Sequence, residues 1–217
     1  MSGSGRGRLD AFFLPPEEFH EPFVLTGGEA HHCARVLRKA AGEQVRVFDG
    51  AGREGVFTID AVGKDRVALS PVSLGVVPPP LGAVHLAAGF SRSARRDFFL
   101  EKAVELGAAG ILFWQAARTQ GRMPDAPKDA WTAGLVAAAK QCGAARLPAL
   151  EVAPGGAAGL VAACRDRFDR RYLLWEDASC RRRLRVDDVA APGEALFVLG
   201  PEGVLTDAEA TLFIDSG

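Results

Sequence analysis

The sequence predicts an α/β protein built from a small N-terminal β-barrel and a C-terminal domain in which helices cover a parallel sheet. Strand-like runs dominate the first third of the chain, and helices alternate with short apolar runs in the remainder. Three consecutive prolines at 78–80 separate the two patterns, and such a run is stiff and lacks backbone donors. We therefore expect a first domain at residues 1–77 and a second at residues 78–217.

The composition narrows the class of protein. The chain of 217 residues is 48% apolar and 24% charged with a net charge of −1, which excludes a disordered or fibrous chain. No apolar run approaches the roughly 18 residues that a membrane span needs. Residues 1–8 are rich in glycine, serine and arginine and lack the apolar core of a secretory signal. We therefore expect a cytoplasmic protein that does not bind membranes.

The first domain is expected to consist mainly of strands. Alternating apolar residues and glycine-containing turns predict strands at residues 45–48, 55–62 and 67–69. One helix interrupts them, because Thr26 and Glu29 have the spacing of a capping box and residues 30–39 follow as the helix body.

The second domain alternates helices with strands. Helices are expected at residues 95–106, 129–142 and 157–168, and strands at residues 111–114, 149–152, 172–175 and 195–199. Alternation at this spacing predicts a parallel sheet with helices on both faces.

The most informative segment joins the last strand to a helix. Gly200 and Gly203 flank a Pro-Glu turn and allow close approach of the backbone, while Thr206 and Glu209 form a second capping box. Ligands of open α/β sheets bind at such carboxyl ends of strands. The segment matches neither a dinucleotide-binding nor a triphosphate-binding glycine motif. A strand-to-helix turn without a ligand is the alternative interpretation.

Arginines cluster at two further places. Arg92, Arg95 and Arg96 come directly before a helix, where cations oppose the helix dipole, and Arg118 lies in the loop after a strand. The planar guanidinium fits phosphate oxygens, so these residues could contact nucleic acid. The alternative is a solvated helix start. The basic run at 181–185 likewise fits either a solvated face or a nucleic-acid contact.

No metal centre is predicted. His31 and His32 are adjacent on a helix and do not share a face, and no carboxylate has the spacing of a metal-binding partner. The four cysteines, Cys33, Cys142, Cys164 and Cys180, form no Cys-x-x-Cys pair. We interpret them as reduced and mainly structural.

Taken together, these segments resemble the RsmE family of SPOUT (trefoil-knot) methyltransferases, which methylate N3 of a uridine in 16S rRNA of the small ribosomal subunit. The resemblance covers nearly the whole chain. It is carried by residues 29–32, 36–38, 42–43 and 47–50 in the first domain, and by residues 101–107, 139–142, 146–148 and 200–203 with Glu209 in the second.

The resemblance implies a PUA-like RNA-binding barrel, a SPOUT domain with a trefoil knot, S-adenosylmethionine (SAM) as cofactor, 16S rRNA as partner and a homodimer. The SAM pocket would include Leu174, Trp175, Glu176, Leu199, Gly200, Pro201, Glu202 and Gly203. Arg92, Arg118 and Arg146 are the candidate catalytic residues, for contacts to RNA phosphate or to the uracil anion. Arg35, Arg38, Arg92, Arg95 and Arg96 are the candidate RNA contacts. The sulfonium of SAM activates the methyl group without a metal.

The chain departs from the family pattern at three points. Val204 stands where the family has a second glycine, and Ala144 stands where it has an arginine. The chain ends at Gly217, before the family's final knot-threading segment, so we expect part of the SAM pocket to be lacking. Two other functions stay open: RNA binding without methyl transfer, and a small-molecule enzyme with a doubly wound sheet.

Overall fold

The computed structural model describes residues 8–91, 93–119, 121–176, 183–201 and 205–217. It divides into two compact units, one formed by Met1–Pro79 with Ala139–Leu147 and the other by Pro80–Ala138 with Pro148–Gly217. Within the described residues, no helix has the length and apolar character that crossing a membrane requires.

The first unit is built on a five-stranded sheet in the order β1-β3-β4-β5-β2. The strands are β1 (Ala11–Phe13), β2 (Phe23–Thr26), β3 (Gln44–Phe48), β4 (Arg53–Val62) and β5 (Arg66–Val76). All neighbours pair antiparallel except β1 and β3, which are parallel. The β-rich first region expected from the sequence is therefore confirmed.

Aromatic side chains fill the core of this unit. Phe57 of β4 is fully buried, and its ring meets the rings of Phe19 and Phe23 edge to face at centroid distances of 6.1 and 4.9 Å. Aromatic pairs prefer this arrangement because the positive edge of one ring faces the negative face of the other. Val45, Val47 and Ile59 complete the packing between strands.

The first helix differs from the sequence-based expectation. Helix α1 (Gly27–His31) begins after Thr26 as predicted, but the Thr26 side chain makes no capping hydrogen bond. Glu29, the expected second member of the capping box, instead accepts the Phe13 amide at 3.2 Å and pairs with Lys140. The capping-box prediction is thus wrong, because two partners distant in sequence take the carboxylate.

The predicted helix body through Lys39 is also too long. The chain continues from α1 as a π-helical turn at His32–Val36 and then leaves the helix. Arg38 has φ of +53°, a conformation that ends a helix and that side chains other than glycine seldom adopt. Lys39 then pairs with Asp10 at 2.7 Å and with Glu43 at 3.1 Å, and these contacts lie outside any helix.

The second unit contains a five-stranded sheet in the order β8-β7-β6-β10-β9. Its strands are β6 (Gly82–Gly89), β7 (Gly110–Trp114), β8 (Ala149–Ala153), β9 (Arg170–Leu174) and β10 (Gly193–Leu199), and its helices are α2 (Ser93–Glu105), α3 (Asp129–Cys142), α4 (Gly156–Cys164), α5 (Val186–Ala190) and α6 (Asp207–Asp215). Every pairing is parallel. The predicted parallel sheet is confirmed, although the helix predicted over 157–168 ends at Cys164.

Two adjacent residues of β7 show how helices cover both faces of this sheet. Successive side chains of a strand point to opposite faces. Phe113 packs its ring against Phe99 of α2 and Trp131 of α3, at 6.1 and 5.4 Å, whereas Trp114 meets Phe213 of α6 at 5.4 Å. Both residues are almost completely buried, so the β7 sequence specifies a strand with two covered faces.

We predict that Phe57→Ala destabilises the first unit by about 3–5 kcal/mol, because the substitution leaves a cavity among the buried rings. The measurement is urea unfolding followed by amide hydrogen exchange in peptides of the first unit, since the two units need not unfold together. Val72→Thr is the control: Val72 lies exposed on β5, and its replacement should change stability by less than about 0.5 kcal/mol. Equal effects of the two substitutions would contradict the assigned core.

Candidate functional site

Parallel pairing brings the carboxyl ends of the strands of the second unit to one edge of the sheet. Leu199, the last residue of β10, lies opposite Leu174, the last residue of β9, and opposite Ala88 of β6. Gly89 of β6 in turn lies opposite Trp114 of β7. We call residues 174–176 and 199–201 the carboxyl edge. This edge is the general ligand-binding position of open α/β sheets.

The absence of a side chain at Gly89 lets the loop after β10 pass close to β6. A Cβ atom on Gly89 would lie 2.5 Å from both the backbone nitrogen and Cδ of Pro201. Real Cβ atoms do not approach other atoms so closely, so a larger residue at 89 would displace the loop. Pro201 is buried there, and Gly89 therefore determines where the loop leaves the sheet.

The structure brings six of the eight predicted cofactor residues to the carboxyl edge. These are Leu174, Trp175, Glu176, Leu199, Gly200 and Pro201. Trp175 packs partly against the apolar core beneath, whereas the Glu176 side chain is exposed. Glu202 and Gly203 lie outside the described residues.

A buried carboxylate joins the start of α6 to the loop after β7. Glu209 accepts the Ala117 amide at 2.7 Å, the Thr206 amide at 2.9 Å and the Thr206 hydroxyl at 2.8 Å. The Thr206 hydroxyl in turn accepts the Glu209 amide at 3.3 Å, so the predicted capping box is confirmed. The bond to Ala117 was not predictable from the motif, because it links residues 92 positions apart.

The charge on Glu209 is stabilised by its surroundings. Burial raises the pKa of this carboxyl, but the amides of Thr206 and Ala117, the Thr206 hydroxyl and the nearby charge of Arg118 together hold it below the ordinary value. Glu209 is therefore ionised at neutral pH. It fixes the loop that carries Arg118, whose side chain is exposed.

Two of the three predicted catalytic arginines belong to different units. Arg118 lies in the second unit, next to the carboxyl end of β7. Arg146 belongs to the first unit, where its guanidinium donates to the Val77 carbonyl through Nε at 3.1 Å and NH2 at 2.8 Å. Arg92 lies outside the described residues.

The predicted RNA contacts are placed as follows. Arg35 lies in the π-helical turn, which ends at Val36, and Arg38 follows two residues later; both are exposed on the first unit. Arg95 is exposed on α2. Arg96 bonds Asp97 at 2.8 Å and lies 4.9 Å above the Trp131 ring, so part of its guanidinium is already engaged.

In the described part of the chain, no group of three or more His, Cys, Asp or Glu side chains is arranged to hold a metal ion. Cys33 and Cys164 are free and buried, and burial raises the pKa of both thiols. A raised pKa lowers the thiolate fraction, so neither is a reactive thiol. Cys142 is exposed, and Cys180 lies outside the described residues.

We predict that Glu209→Gln lowers the free energy of unfolding at pH 7 by about 1–3 kcal/mol, because an amide side chain leaves a part-buried N–H of Ala117 or Thr206 without an acceptor. The stabilisation by ionised Glu209 is fully present above its ordinary pKa of 4.5 and is lost as pH falls through the lowered value of the folded protein. Denaturant unfolding across this pH range measures both effects.

The control is Asp207→Asn, which removes an exposed carboxylate from the same helical turn. We expect it to change stability by less than about 0.5 kcal/mol. If Glu209→Gln retained the acid dependence of the parent chain, Glu209 would not be the group responsible.

Two family models match successive parts of the chain. An RNA methyltransferase PUA domain matches residues 25–72, and an RNA methyltransferase domain matches residues 77–217. The second match covers more than half of the chain.

Known proteins resemble the chain over most of its length. Ribosomal RNA small subunit methyltransferase E of Mycobacterium bovis is 30% identical over 215 residues, covering 89% of this chain and 76% of the relative. The protein of the same name from Bacillus subtilis is 27% identical over 197 residues, covering 86% of this chain and 76% of the relative. A solved methyltransferase from Legionella pneumophila, in complex with its cofactor SAM, is 25% identical with a TM-score of 0.80, and the match covers 97% of this chain and 87% of that one.

Both family matches, the identity to the Mycobacterium bovis protein and the shared fold agree with the resemblance found in the sequence. The chain belongs to the RNA methyltransferase family that includes ribosomal RNA small subunit methyltransferase E.

Proposed function

We propose that this SAM-dependent rRNA methyltransferase transfers a methyl group to N3 of a uridine in 16S rRNA of the small ribosomal subunit. The observation that carries the proposal is the carboxyl edge, where residues 174–176 and 199–201 converge in a chain of this family. The ribosomal substrate also supports a cytoplasmic location.

The residues of the carboxyl edge fit SAM chemically. Leu174, Trp175 and Leu199 offer apolar and aromatic surface for an adenine ring. Gly200 adds no side chain, and strand ends leave backbone amides and carbonyls available for polar atoms of a ligand. The exposed Glu176 carboxylate suits either ribose hydroxyls or the positive sulfonium. When bound, SAM supplies a methyl group that the positive sulfonium activates for transfer.

Arg118 is the residue that we assign to the charge of the reacting base. Methylation at N3 requires loss of the N3 proton, which passes to solvent, and the negative charge that develops on the uracil oxygens needs a cation beside it. Arg118 follows the carboxyl end of β7, and Glu209 holds its loop through the Ala117 amide. The Glu209 carboxylate thus positions the backbone, while the exposed guanidinium stays available to RNA.

The first unit would hold the RNA backbone. Arg35 and Arg38 are exposed and close in sequence, and arginine is well suited to phosphate oxygens. Lys39 is already engaged with Asp10 and Glu43, so the two arginines are the better candidates for phosphate contacts.

A homodimer also forms part of the proposal. Large apolar side chains, among them Leu106 and Val186, are exposed on the second unit, and exposed apolar surface of this kind favours association. Light scattering of the purified chain measures the oligomeric state: a mass of two chains supports the homodimer, and a monomer at working concentration contradicts it.

The reaction is tested by incubating the purified protein with SAM carrying a labelled methyl group and with small ribosomal subunits that lack the modification. We expect labelled N3-methyluridine when the rRNA is digested to nucleosides and analysed by mass. Salt-sensitive RNA binding without methyl transfer would instead favour the RNA-binding alternative. Absence of both activities would contradict the proposal.

We predict that Arg118→Ala lowers kcat for methyl transfer by about 10²–10³-fold, the effect expected for loss of a group that stabilises developing negative charge. SAM affinity, measured by calorimetry, should not change. Arg122→Ala is the matched control, since Arg122 is an exposed arginine of the same segment that approaches Asp125 only at 3.6 Å. Similar losses in both variants would assign Arg118 to general attraction of RNA.

We predict that Arg35→Ala and Arg38→Ala each weaken RNA binding and reduce the slope of log affinity against log salt by about 0.7–0.9, the value for loss of one phosphate contact. Binding is measured on the small subunit over a range of salt concentrations. Lys64→Ala removes one exposed charge from the β4–β5 turn and should leave the slope unchanged. An unchanged slope in both arginine variants would show that residues 35–38 do not contact phosphate.

A further inference from the structure

We propose that Gln115 is a positioning residue for methyl transfer, whose side-chain amide closes the loop after β7 and thereby holds Arg118 in place. This inference rests on the proposed function, because it takes the role assigned there to Arg118 as given. The loop consists of residues 115–123, of which the structure describes 115–119 and 121–123.

The Gln115 side chain ties the two arms of the loop together at its base. Gln115 is the first residue after β7. Its Oε1 accepts the Met123 amide at 2.8 Å, and its Nε2 donates to the Gly121 carbonyl at 3.1 Å. The two partners are of opposite type, so together they fix the orientation of the side-chain amide. One side chain therefore joins the start of the loop to residues 6 and 8 positions further along the chain.

Two further side chains hold the outgoing arm of the loop on either side of Arg118. The Thr119 hydroxyl accepts the Ala116 amide at 3.1 Å, and the Thr119 amide donates to the Ala116 carbonyl at 3.0 Å. On the other side, Glu209 accepts the Ala117 amide. Arg118 thus stands between two residues whose backbone amides both make hydrogen bonds.

Burial of apolar surface does not explain why several side chains order this loop. Ala116 and Met123 are buried, but four of the other described residues of the loop are exposed. Fixing the backbone of one residue costs about 1–2 kcal/mol of conformational entropy, and exposed residues recover little of this cost by apolar burial. What the hydrogen bonds provide is a fixed backbone at Arg118, whose side chain is exposed.

A fixed backbone suits the task that we assign to Arg118. A cation stabilises a transition state best when it already stands where the negative charge develops, because no reorganisation is then needed during the reaction. A displacement of about 1 Å, caused by a change away from the reacting atoms, can lower a rate by about 10²-fold. Loss of the Gln115 hydrogen bonds should therefore affect kcat and not the binding of SAM.

The first test removes the two hydrogen bonds with and without loss of bulk. Gln115→Ala truncates the side chain, whereas Gln115→Met keeps its length but lacks the amide. Both variants should lower kcat for small ribosomal subunits about tenfold or more, while the KM for SAM stays that of the parent chain. Asp125→Ala is the control, because the Asp125 side chain is 92% exposed and approaches Arg122 only at 3.6 Å. Full kcat in Gln115→Met would overturn the inference.

The second test determines whether Gln115 acts through Arg118. In a chain that already carries Arg118→Ala, the further change Gln115→Ala should not lower kcat again, because the group to be positioned is absent. A purely structural role of Gln115 would give the same fold loss in both backgrounds. That result would contradict a positioning role.

A third variant adds a dependence on pH. In Gln115→Glu an ionised carboxylate accepts the Met123 amide but cannot donate to the Gly121 carbonyl, whereas a protonated carboxyl does both. The kcat of this variant, taken as a fraction of the parent's kcat at the same pH, should therefore rise as the pH is lowered. A fraction that does not change with pH would reject the donor role of Gln115 towards Gly121.

A measurement without turnover keeps this inference separate from the proposed function. Amide hydrogen exchange in the peptide that covers residues 115–123 should be faster in Gln115→Ala than in the parent chain, and exchange in β7 should be unchanged. If the parent chain transfers no methyl group, the proposed function fails, and hydrogen exchange alone decides whether Gln115 holds the loop. If the parent chain is active and Gln115→Ala retains both its kcat and its slow exchange, the function stands and the inference fails.

Discussion

The parallel pairing of β10 with both of its neighbours is the constraint on which the site depends. Because β6, β9 and β10 run in one direction and in fixed register, their last residues reach the same edge of the sheet. Side chains 25 residues apart, Leu174 and Leu199, thereby become direct neighbours. A shift of β9 by one residue would exchange its two faces and turn the paired residues away. The geometry of the site therefore depends on the register of this sheet.

The register of the strands does not fix the positions of the loops. Two further features do so: the open space at Gly89 and the hydrogen bonds of Glu209. Gly89 leaves space, so the chain after β10 can cross the end of β6 at Pro201. The Glu209 carboxylate is buried, and the hydrogen bonds that it accepts from Ala117 and Thr206 hold the loop after β7 against α6. Burying a carboxylate costs free energy unless its oxygens accept hydrogen bonds. The three donors meet that requirement, which explains why the ionised form persists below neutral pH.

Most of the fold could be predicted from the sequence, since apolar periodicity and the proline run require no knowledge of distant contacts. The two capping-box patterns show the limit of prediction from local sequence. Thr206 and Glu209 form the predicted box, whereas Glu29 pairs with Lys140 and accepts the Phe13 amide instead. Strand β6 was not predicted, because glycine and alanine have low strand propensity and its central position comes from pairing on both sides. The carboxyl edge was predicted from its motif, but the hydrogen bond from the Ala117 amide to Glu209 was not.

We propose that a few exposed arginines of the first unit supply moderate attraction to RNA, and this agrees with a net charge of −1. Phosphate contacts attract every RNA equally, so a strongly basic surface would bind ribosomal RNA without selecting one uridine. Methyl transfer to N3 requires an unpaired uridine, because N3 is the hydrogen-bond donor of uracil in a base pair. Selectivity then comes from which nucleotide the folded ribosomal RNA leaves unpaired, rather than from the strength of electrostatic attraction.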